Sequence, residues 1–328
     1  MDYRTLGRTG LRISPLAVGT VNFSWLTDEG DSFEILDFAR DAGVNFIDTA
    51  NNYNAGESEA LLGRWFAQGD RRREQTVLAT KVYLPPHRYD TGEPLMEQAK
   101  YALPNEHRLS AKNIRHACEA SLKRLGTDYI DLYQMHHIDR DTPWDEIWQA
   151  MDLLVAQGKV LYVGSSNFAG WHIAQANETA QRRHSLGLVS EQSLYNLRVR
   201  SVEMEVLPAC EDYGMAFLPW SPLASGQLAG LPQQGDAGRR AGLGKAQASE
   251  PIRRYHALCE ELGHAPADVA IAWLLANPVV TAPVVGPRTL EQFRGNVEAL
   301  DITLDAATLS ALDEMFPGPG PAPEAYAW

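Results

Sequence analysis

The chain has 328 residues, of which 42 are acidic and 29 basic, so its formal net charge is −13 at neutral pH. This acidic balance argues against binding of nucleic acids, whose phosphate backbone requires a basic face. The composition, 45% hydrophobic and 22% charged, is typical of a folded globular protein. The opening residues lack the apolar stretch of a secretory signal, and no segment is apolar over the length that a bilayer requires. Three widely spaced cysteines, Cys118, Cys210 and Cys259, indicate reduced thiols and a cytoplasmic protein.

Short strand-like runs alternate along the chain with longer segments of helical spacing. The opening residues predict a β-hairpin that turns at 8–10 and plugs the bottom of a barrel. The apolar side chains of 112–125 recur on one helical face, with Ser110 as the candidate N-cap. The eight candidate strands cover 16–20, 44–49, 76–81, 129–136, 160–166, 187–192, 214–221 and 282–287.

Eight strands that alternate with helices predict an α/β protein with a (β/α)8 TIM barrel, in a single domain over residues 1–328. A doubly wound sheet is the alternative architecture. The long connections 82–110 and 222–250 both follow strands, so we expect them at the C-terminal mouth of the barrel. The Pro- and Gly-rich tail, 316–328, either extends freely or brings Tyr326 and Trp328 over the pocket.

Polar side chains with chemical capability end nearly every candidate strand. Asp48, Lys81 and His136 end the second, third and fourth strands, and Tyr53 follows Asp48 by five residues. In a barrel these positions ring one face, so the four side chains are predicted to converge. His136 is followed by a second histidine, but adjacent residues of a strand face opposite ways, so we expect no metal site.

The four side chains together suit protonation of a carbonyl oxygen. A tyrosine hydroxyl is a weak acid, and a nearby lysine ammonium favours its phenolate and lowers its pKa. An aspartate beside the lysine keeps it charged and oriented, and a neutral histidine donates a hydrogen bond to the carbonyl oxygen. The other half of such a reaction, attack on the carbonyl carbon, fits a hydride donor.

Longer motifs carry a resemblance over nearly the whole chain. They include LGRTGLRISPLAVGT at the start, GVNFIDTANNYNAGESEALLG (43–63), SLKRLGTDYIDLYQMH (121–136), GKVLYVGSSNF (158–168), LVSEQSLYNL (188–197), PWSPLASG (219–226) and VVGPRTLEQFRGN (284–296). On these motifs the sequence resembles the aldo-keto reductase superfamily. The resemblance implies an oxidoreductase that binds NADPH (as NADP+ after turnover) across the barrel mouth, which agrees with the absence of a G-x-G-x-x-G fingerprint from the sequence.

The resemblance also assigns roles to residues of this chain. Asp48, Tyr53, Lys81 and His136 match the family's catalytic tetrad, with Tyr53 as general acid. The family's contacts to the nicotinamide match Ser166, Asn167, Gln192 and Trp220. Its pyrophosphate loop matches Ser221, Leu223, Ser225 and Gly226. Its contacts to the adenosine end match Gly286, Arg288, Gln292 and Asn296, of which Arg288 would bind a 2′-phosphate and so favour NADP over NAD.

Two departures from the family pattern concern single positions. Gly295 stands where an acidic residue often precedes Asn296, which predicts the loss of one contact to the adenosine. Asn54 stands where glycine commonly follows the tetrad tyrosine, and asparagine tolerates a left-handed backbone.

Candidate substrate contacts come from the loops that follow the first, third and fourth strands. They are Val21, Phe23, Trp25, Tyr83 and His137, any of which could instead pack its loop. Arg88, His107 and Arg108 could meet a substrate phosphate, or remain solvated. The oligomeric state is not predicted.

Three functions remain open. The first is an NADPH-dependent reductase of small-molecule aldehydes or ketones. The second, suggested by resemblance to bacterial enzymes of deoxysugar biosynthesis, is a reductase of a nucleotide keto- or enol-sugar. Retention of His136 favours carbonyl reduction, of a keto-sugar included, since the steroid double-bond branch of the superfamily replaces this residue. The third is a cofactor-sensing binding protein similar to the potassium-channel β-subunits.

Overall fold

A computed structural model describes residues 1–86, 102–230 and 249–327. Eight parallel strands form a single sheet, namely β3 (Ala17–Gly19), β4 (Phe46–Asp48), β5 (Val77–Val82), β6 (Ile130–Met135), β7 (Val160–Ser166), β8 (Leu188–Gln192), β9 (Ala216–Phe217) and β10 (Val284–Val285). They follow one another round the sheet in the order β10-β3-β4-β5-β6-β7-β8-β9.

Backbone hydrogen bonds close this sheet into a barrel. Beside β9, the amide of Thr281 donates to Phe217 O at 2.9 Å, and the amide of Val284 donates to Pro219 O at 2.8 Å. The predicted (β/α)8 barrel is therefore confirmed, and the doubly wound alternative is wrong. Each candidate strand of the sequence overlaps one observed strand, because the short apolar runs are buried on both sides of the barrel wall.

The predicted N-terminal hairpin is formed by β1 (Arg4–Thr5) and β2 (Arg12–Ile13), which pair antiparallel. Leu6 and Ile13 are fully buried in one apolar cluster with Ala17, Phe46 and Val77, the residues that begin β3, β4 and β5. The hairpin therefore plugs the bottom of the barrel, where the strands start, and the opposite end is left for a site.

Helices cover the outside of the barrel. They are α1 (Glu29–Asp41), α2 (Glu57–Phe66), α3 (Ala111–Leu125), α4 (Trp144–Ala156), α5 (Gly170–Arg182), α6 (Val206–Asp212), α7 (Glu250–Leu262), α8 (Pro266–Ala276), α9 (Leu290–Glu298), α10 (Ala306–Met315) and α11 (Glu324–Ala327). The predicted cap of α3 is confirmed, since Ser110 Oγ accepts from the amide of Asn113 at 3.3 Å. In the described part of the chain, no helix combines the length and apolarity needed to cross a membrane.

The C-terminal tail returns to the segment after β8. The amide of Ala322 donates to Met204 O at 2.9 Å, and the side chain of Tyr326 is 68% exposed. Trp328, most of the loop that follows β5 and most of 222–250 lie outside the described residues, so the expectations for them stay predictions.

Candidate active site

Parallel strands place three of the four tetrad residues at one rim of the barrel. Asp48 is the last residue of β4, Lys81 lies at the end of β5, and His136 directly follows β6. Tyr53 begins a short 3-10 turn between β4 and α2. The C-terminal ends of neighbouring parallel strands meet at the same edge, so residues 88 positions apart in the chain, Asp48 to His136, become neighbours.

Lys81 is the centre of this cluster. Its Nζ donates to Asp48 Oδ2 at 2.5 Å, to Tyr53 Oη at 3.2 Å and to the carbonyl of Thr49 at 2.9 Å. Lys81 is 0% exposed and Asp48 is 1% exposed, so the ion pair is shielded from water. Burial lowers the pKa of Lys81, and the charge of Asp48 opposes this effect by raising it.

The second oxygen of Asp48 is held by two glutamines. Gln134 Nε2 and Gln192 Nε2 each donate to Asp48 Oδ1 at 2.9 Å. The carboxylate thus accepts hydrogen bonds at both oxygens and cannot rotate away from Lys81 without losing partners. Its orientation in turn directs the lysine ammonium towards Tyr53.

His136 completes the cluster. Its ring lies 5.9 Å from the ring of Tyr53, centroid to centroid, at an interplanar angle of 75°. Asn167 Nδ2 donates to the backbone carbonyl of His136 at 3.2 Å, which ties this residue to the end of β7. The structure therefore brings all four tetrad residues of the sequence prediction together.

The turn that presents Tyr53 has an unusual backbone. Asn54 and Ala55 both have positive φ angles, +45° and +58°, and Gly56 follows at +91°. Asn54 thus adopts the left-handed conformation expected of it, and its Nδ2 donates to the carbonyl of Ser24 at 2.5 Å. Strained backbone of this kind is characteristic of functional sites, where the surrounding structure imposes it.

The four candidate nicotinamide contacts lie on β7, β8 and the segment after β9. Asn167, with a φ of +59°, donates from Nδ2 to Ser166 Oγ at 3.0 Å. Trp220 Nε1 donates to Asn167 Oδ1 at 3.0 Å, and Gln192 reaches Asp48 as described above. The four residues, Ser166, Asn167, Gln192 and Trp220, are therefore connected to the tetrad by hydrogen bonds; we call them the nicotinamide platform.

The segment after Trp220 carries the candidate pyrophosphate residues. Ser221, Ala224 and Ser225 have φ angles of +54°, +48° and +57°, and Gly226 has +90°. The amide of Ser225 donates to Ser221 Oγ at 3.2 Å, and Leu223 packs against the apolar core. Left-handed residues turn successive backbone amides outward, and such turns form concavities that suit anions.

The candidate adenosine residues surround the start of α9. Asn22 Nδ2 donates to Gly286 O at 2.8 Å, and Thr27 Oγ1 donates to Arg288 O at 3.3 Å. The amide of Arg288 donates to Gln292 Oε1 at 2.9 Å, which places Arg288 at the positive end of the helix dipole. Asn296, farther along α9, is buried.

The space at Gly295 is occupied from a neighbouring helix. Asp268 Oδ1, from α8, lies 3.4 Å from the position that a Cβ at residue 295 would take. Burial, together with the charge of Glu298, raises the pKa of Asp268 to about 6. An acidic group is therefore present beside position 295, although residue 295 itself supplies none.

The candidate substrate residues divide into two groups. Phe23 is 0% exposed and packs in an apolar core cluster, which favours its alternative interpretation as a loop-packing residue. Val21 and Trp25 are half-buried. The rings of Tyr83 and His137 lie 5.4 Å apart and tilted by 39°, so they form one aromatic surface beside His136.

Two polar residues of the site were missed by sequence reasoning. Gln134, inside β6, supports Asp48, and Glu191, next to Gln192 in β8, is fully buried. A polar side chain inside a candidate strand was the available signal. His107 and Arg108 were candidates for a phosphate, but Arg108 forms an ion pair with Asp141, and Arg88 lies outside the described residues.

Comparison with known proteins agrees with this geometry. The model of the aldo/keto reductase family matches residues 15–316. The chain is 52% identical to the uncharacterized oxidoreductase YrpG of Bacillus subtilis, over the full length of both. It is 34% identical to norsolorinic acid reductase B of Dothistroma septosporum, over 97% of this chain and 82% of that protein. It is also 34% identical to a probable voltage-gated potassium channel subunit beta of Oryza sativa, over 92% of each chain. This chain therefore belongs to the aldo/keto reductase family of oxidoreductases.

Proposed function

We propose that this protein is an NADPH-dependent reductase that converts an aldehyde or ketone to an alcohol, with Tyr53 as the general acid. The observation that carries the proposal is the buried contact of 3.2 Å between Lys81 Nζ and Tyr53 Oη, with Asp48 on the other side of the lysine. A cation held at this oxygen stabilises the phenolate that remains after proton donation.

The residues at the mouth fit an extended dinucleotide. The platform supplies amide and hydroxyl groups for a carboxamide and the indole face of Trp220 for a flat ring. The left-handed segment 221–226 and the start of α9 supply backbone amides for phosphates, and Arg288, next to the start of α9, is the proposed contact for a 2′-phosphate. When bound, the nicotinamide supplies a hydride to the carbonyl carbon.

The protein's own groups handle the other half of the reaction. His136 donates a hydrogen bond to the carbonyl oxygen and orients it, and Tyr53 Oη transfers its proton to that oxygen as negative charge develops there. One hydride and one proton are thus added across the C=O bond. After the reaction, Lys81 and Asp48 hold the deprotonated Tyr53 until it is reprotonated.

The substrate is proposed to lie against the aromatic surface of Tyr83 and His137, with Val21 and Trp25 on the opposite side. The narrower alternative, a nucleotide keto- or enol-sugar reductase, uses the same tetrad and differs only in the substrate. A cofactor-sensing role has support from the relatives named as potassium channel β-subunits. Three buried free cysteines fit a reducing, cytoplasmic location.

The substitution Tyr53→Phe tests the reductase proposal. We expect turnover of an aldehyde to fall by about 10²- to 10⁴-fold, because the general acid is removed, while NADPH still quenches tryptophan fluorescence. Tyr3→Phe, which removes a hydroxyl bonded to Gly43 O beside the start of β4, is the control and should retain full activity. Full activity of Tyr53→Phe would refute the assignment of the tetrad.

A second assay separates the three functions. The kcat/KM of the wild-type protein is measured with a panel of simple aldehydes and ketones and with a nucleotide-linked keto-sugar. A strong preference for the sugar supports the narrower enzyme, and no preference rejects it. Rapid turnover without a protein partner in pull-downs rejects the sensing role.

A further inference from the structure

A buried carboxylate lies directly behind the nicotinamide platform. Glu191 precedes Gln192 on β8 and is 0% exposed. Successive side chains of a strand face opposite ways, so Glu191 faces the helices while Gln192 faces the barrel mouth. The register of β7 shifts between Val163 and Ser165, and beyond the shift Ser165 pairs with Glu191 and Ser166 with Gln192.

Glu191 accepts hydrogen bonds from both segments that carry the platform. On the β7 side, Ser165 Oγ bonds to Oε2, and the amide of Phe168 donates to Oε1 at 3.1 Å. On the β8 side, Ser193 Oγ donates to Oε1 at 2.6 Å. Each donor is the immediate chain neighbour of a platform residue, namely Ser166, Asn167 or Gln192.

Two further hydrogen bonds connect Trp220 to these residues. The backbone amide of Trp220 donates to Ser193 O at 3.0 Å, and its indole Nε1 donates to Asn167 Oδ1 at 3.0 Å. Both N–H groups of Trp220 therefore donate to residues that Glu191 helps to position, Ser193 and Asn167. The bond to the amide of Phe168 also holds Asn167 in its left-handed conformation.

The surroundings of Glu191 contain no compensating cation within the described residues. Burial raises the pKa of Glu191 to about 7, and the hydrogen bonds from Ser165, Ser193 and Phe168 oppose this effect. Cys210, on α6, is the titratable side chain that faces it from the helix layer. A carboxylate kept at such a position costs stability, so a purely structural role would be served better by an apolar residue.

We propose that Glu191 is a positioning residue, which sets the placement of Asn167, Gln192 and Trp220 and thereby the binding of the nicotinamide half of the cofactor. The proposal rests on the proposed function, because it requires that the platform contact a nicotinamide. It predicts that substitutions of Glu191 weaken the binding of the nicotinamide half of the cofactor and leave the binding of the adenosine half unchanged.

The test compares two ligands by calorimetry. NADPH carries both halves, whereas adenosine 2′,5′-bisphosphate carries only the adenosine half. For Glu191→Ala we expect the Kd of NADPH to rise by at least about tenfold, since the hydrogen bonds from Ser165, Phe168 and Ser193 are lost, and that of adenosine 2′,5′-bisphosphate to stay within about twofold. Glu191→Asp, which shortens the side chain by one methylene and keeps its carboxyl group, should give a smaller loss of the same kind. Glu191→Gln, which keeps the length and can bond the amide of Phe168, should restore most of the affinity.

Asp131→Asn is the control, because Asp131 is a buried carboxylate at the opposite end of the barrel, where it accepts from the amide of Leu78 at 3.0 Å and from the guanidinium of Arg73 at 2.8 Å. It should leave both affinities unchanged. The proposal is overturned if Glu191→Asp weakens the binding of both ligands equally, or if it does not weaken the binding of NADPH. Glu191→Asp therefore still tests the proposal if Glu191→Ala does not fold. If the wild-type protein binds neither ligand, the proposed function itself fails.

Discussion

Asp48 and Lys81 form an ion pair in a part of the barrel from which water is excluded. Burial of two charges costs several kcal/mol per ion before their attraction offsets it, so such a pair is poor evidence of a stabilising role. Its value here is chemical, because an ammonium in a low-dielectric site acts strongly on the nearby Tyr53 oxygen. Gln134 and Gln192 satisfy the remaining carboxylate oxygen and keep the arrangement rigid.

Arg288 allows a test of cofactor choice. For Arg288→Ala we expect the Kd of NADPH to rise by about 10- to 100-fold and that of NADH to stay nearly unchanged, because only NADPH has the 2′-phosphate that the guanidinium would bind. The measurement is fluorescence titration of both cofactors. Arg294→Ala, in the helix that follows Arg288 but stacked over Phe38, is the control. The same loss for both cofactors would contradict the assignment.

Among single residues, the sequence predicted those that face the barrel mouth, but it did not predict Glu191, which lies behind them. Asp48, Lys81 and His136 end their strands, so the barrel geometry alone brings them together. The pairing of Glu191 with Ser165 depends on the register shift near Gly164, where a Cβ would lie 2.4 Å from Ser190 Oγ. No local pattern signals such a shift, nor the arrival of Asp268 at Gly295 from another helix.

At the level of elements, the N-terminal hairpin shows how closely the bottom of the barrel is packed. Gly7 has a φ of +55°, and a Cβ there would lie 2.5 Å from Val189 O and 2.8 Å from the amide nitrogen of Ala216. The hairpin backbone therefore rests directly on the backbone of the barrel. The sequence predicted the turn at 8–10 and the plug, because both follow from local turn chemistry and apolar flanks.

Gly7→Ala tests this packing. We expect a loss of about 1–3 kcal/mol or more in the free energy of unfolding, since the new Cβ imposes backbone strain and contacts atoms that cannot move aside. Denaturant unfolding measures it. Gly10→Ala in the same hairpin is the control, because a Cβ there has no neighbour within 4 Å. Equal stability of the two variants would show that the hairpin does not press on the barrel.

For the whole molecule, two buried groups shape the dependence of stability on pH in opposite directions. The folded-state pKa of Glu191, about 7, is raised above its unfolded value by burial. Between pH 4.5 and 7 the folded state thus binds more protons, and stability falls as the pH rises. Burial, with the charges of Arg140 and His137, lowers the pKa of His172 to about 4. Through this group, stability rises with pH between 4 and 6.5.

Melting temperatures measured from pH 4 to 8 check both contributions. The two contributions oppose each other between pH 4.5 and 6.5. Glu191→Gln should therefore leave a melting temperature that rises more steeply with pH over this range, because the amide does not titrate. His172→Gln should leave one that falls more steeply, and glutamine can still accept from the amide of Ala169, as His172 Nδ1 does at 3.2 Å. Unchanged curves in both variants would show that other groups govern the pH dependence in this range.

The plug at the bottom of the barrel also determines how the protein can be handled. Tyr3 Oη donates to the carbonyl of Gly43, which lies just before β4 begins, on the face opposite to Tyr53 and Lys81. The C-terminal tail, by contrast, bonds to Met204 in the segment after β8, on the side of the mouth. Immobilisation through the first residue would therefore turn the open end of the barrel towards the solution, whereas attachment through the tail would place the tether beside the entrance.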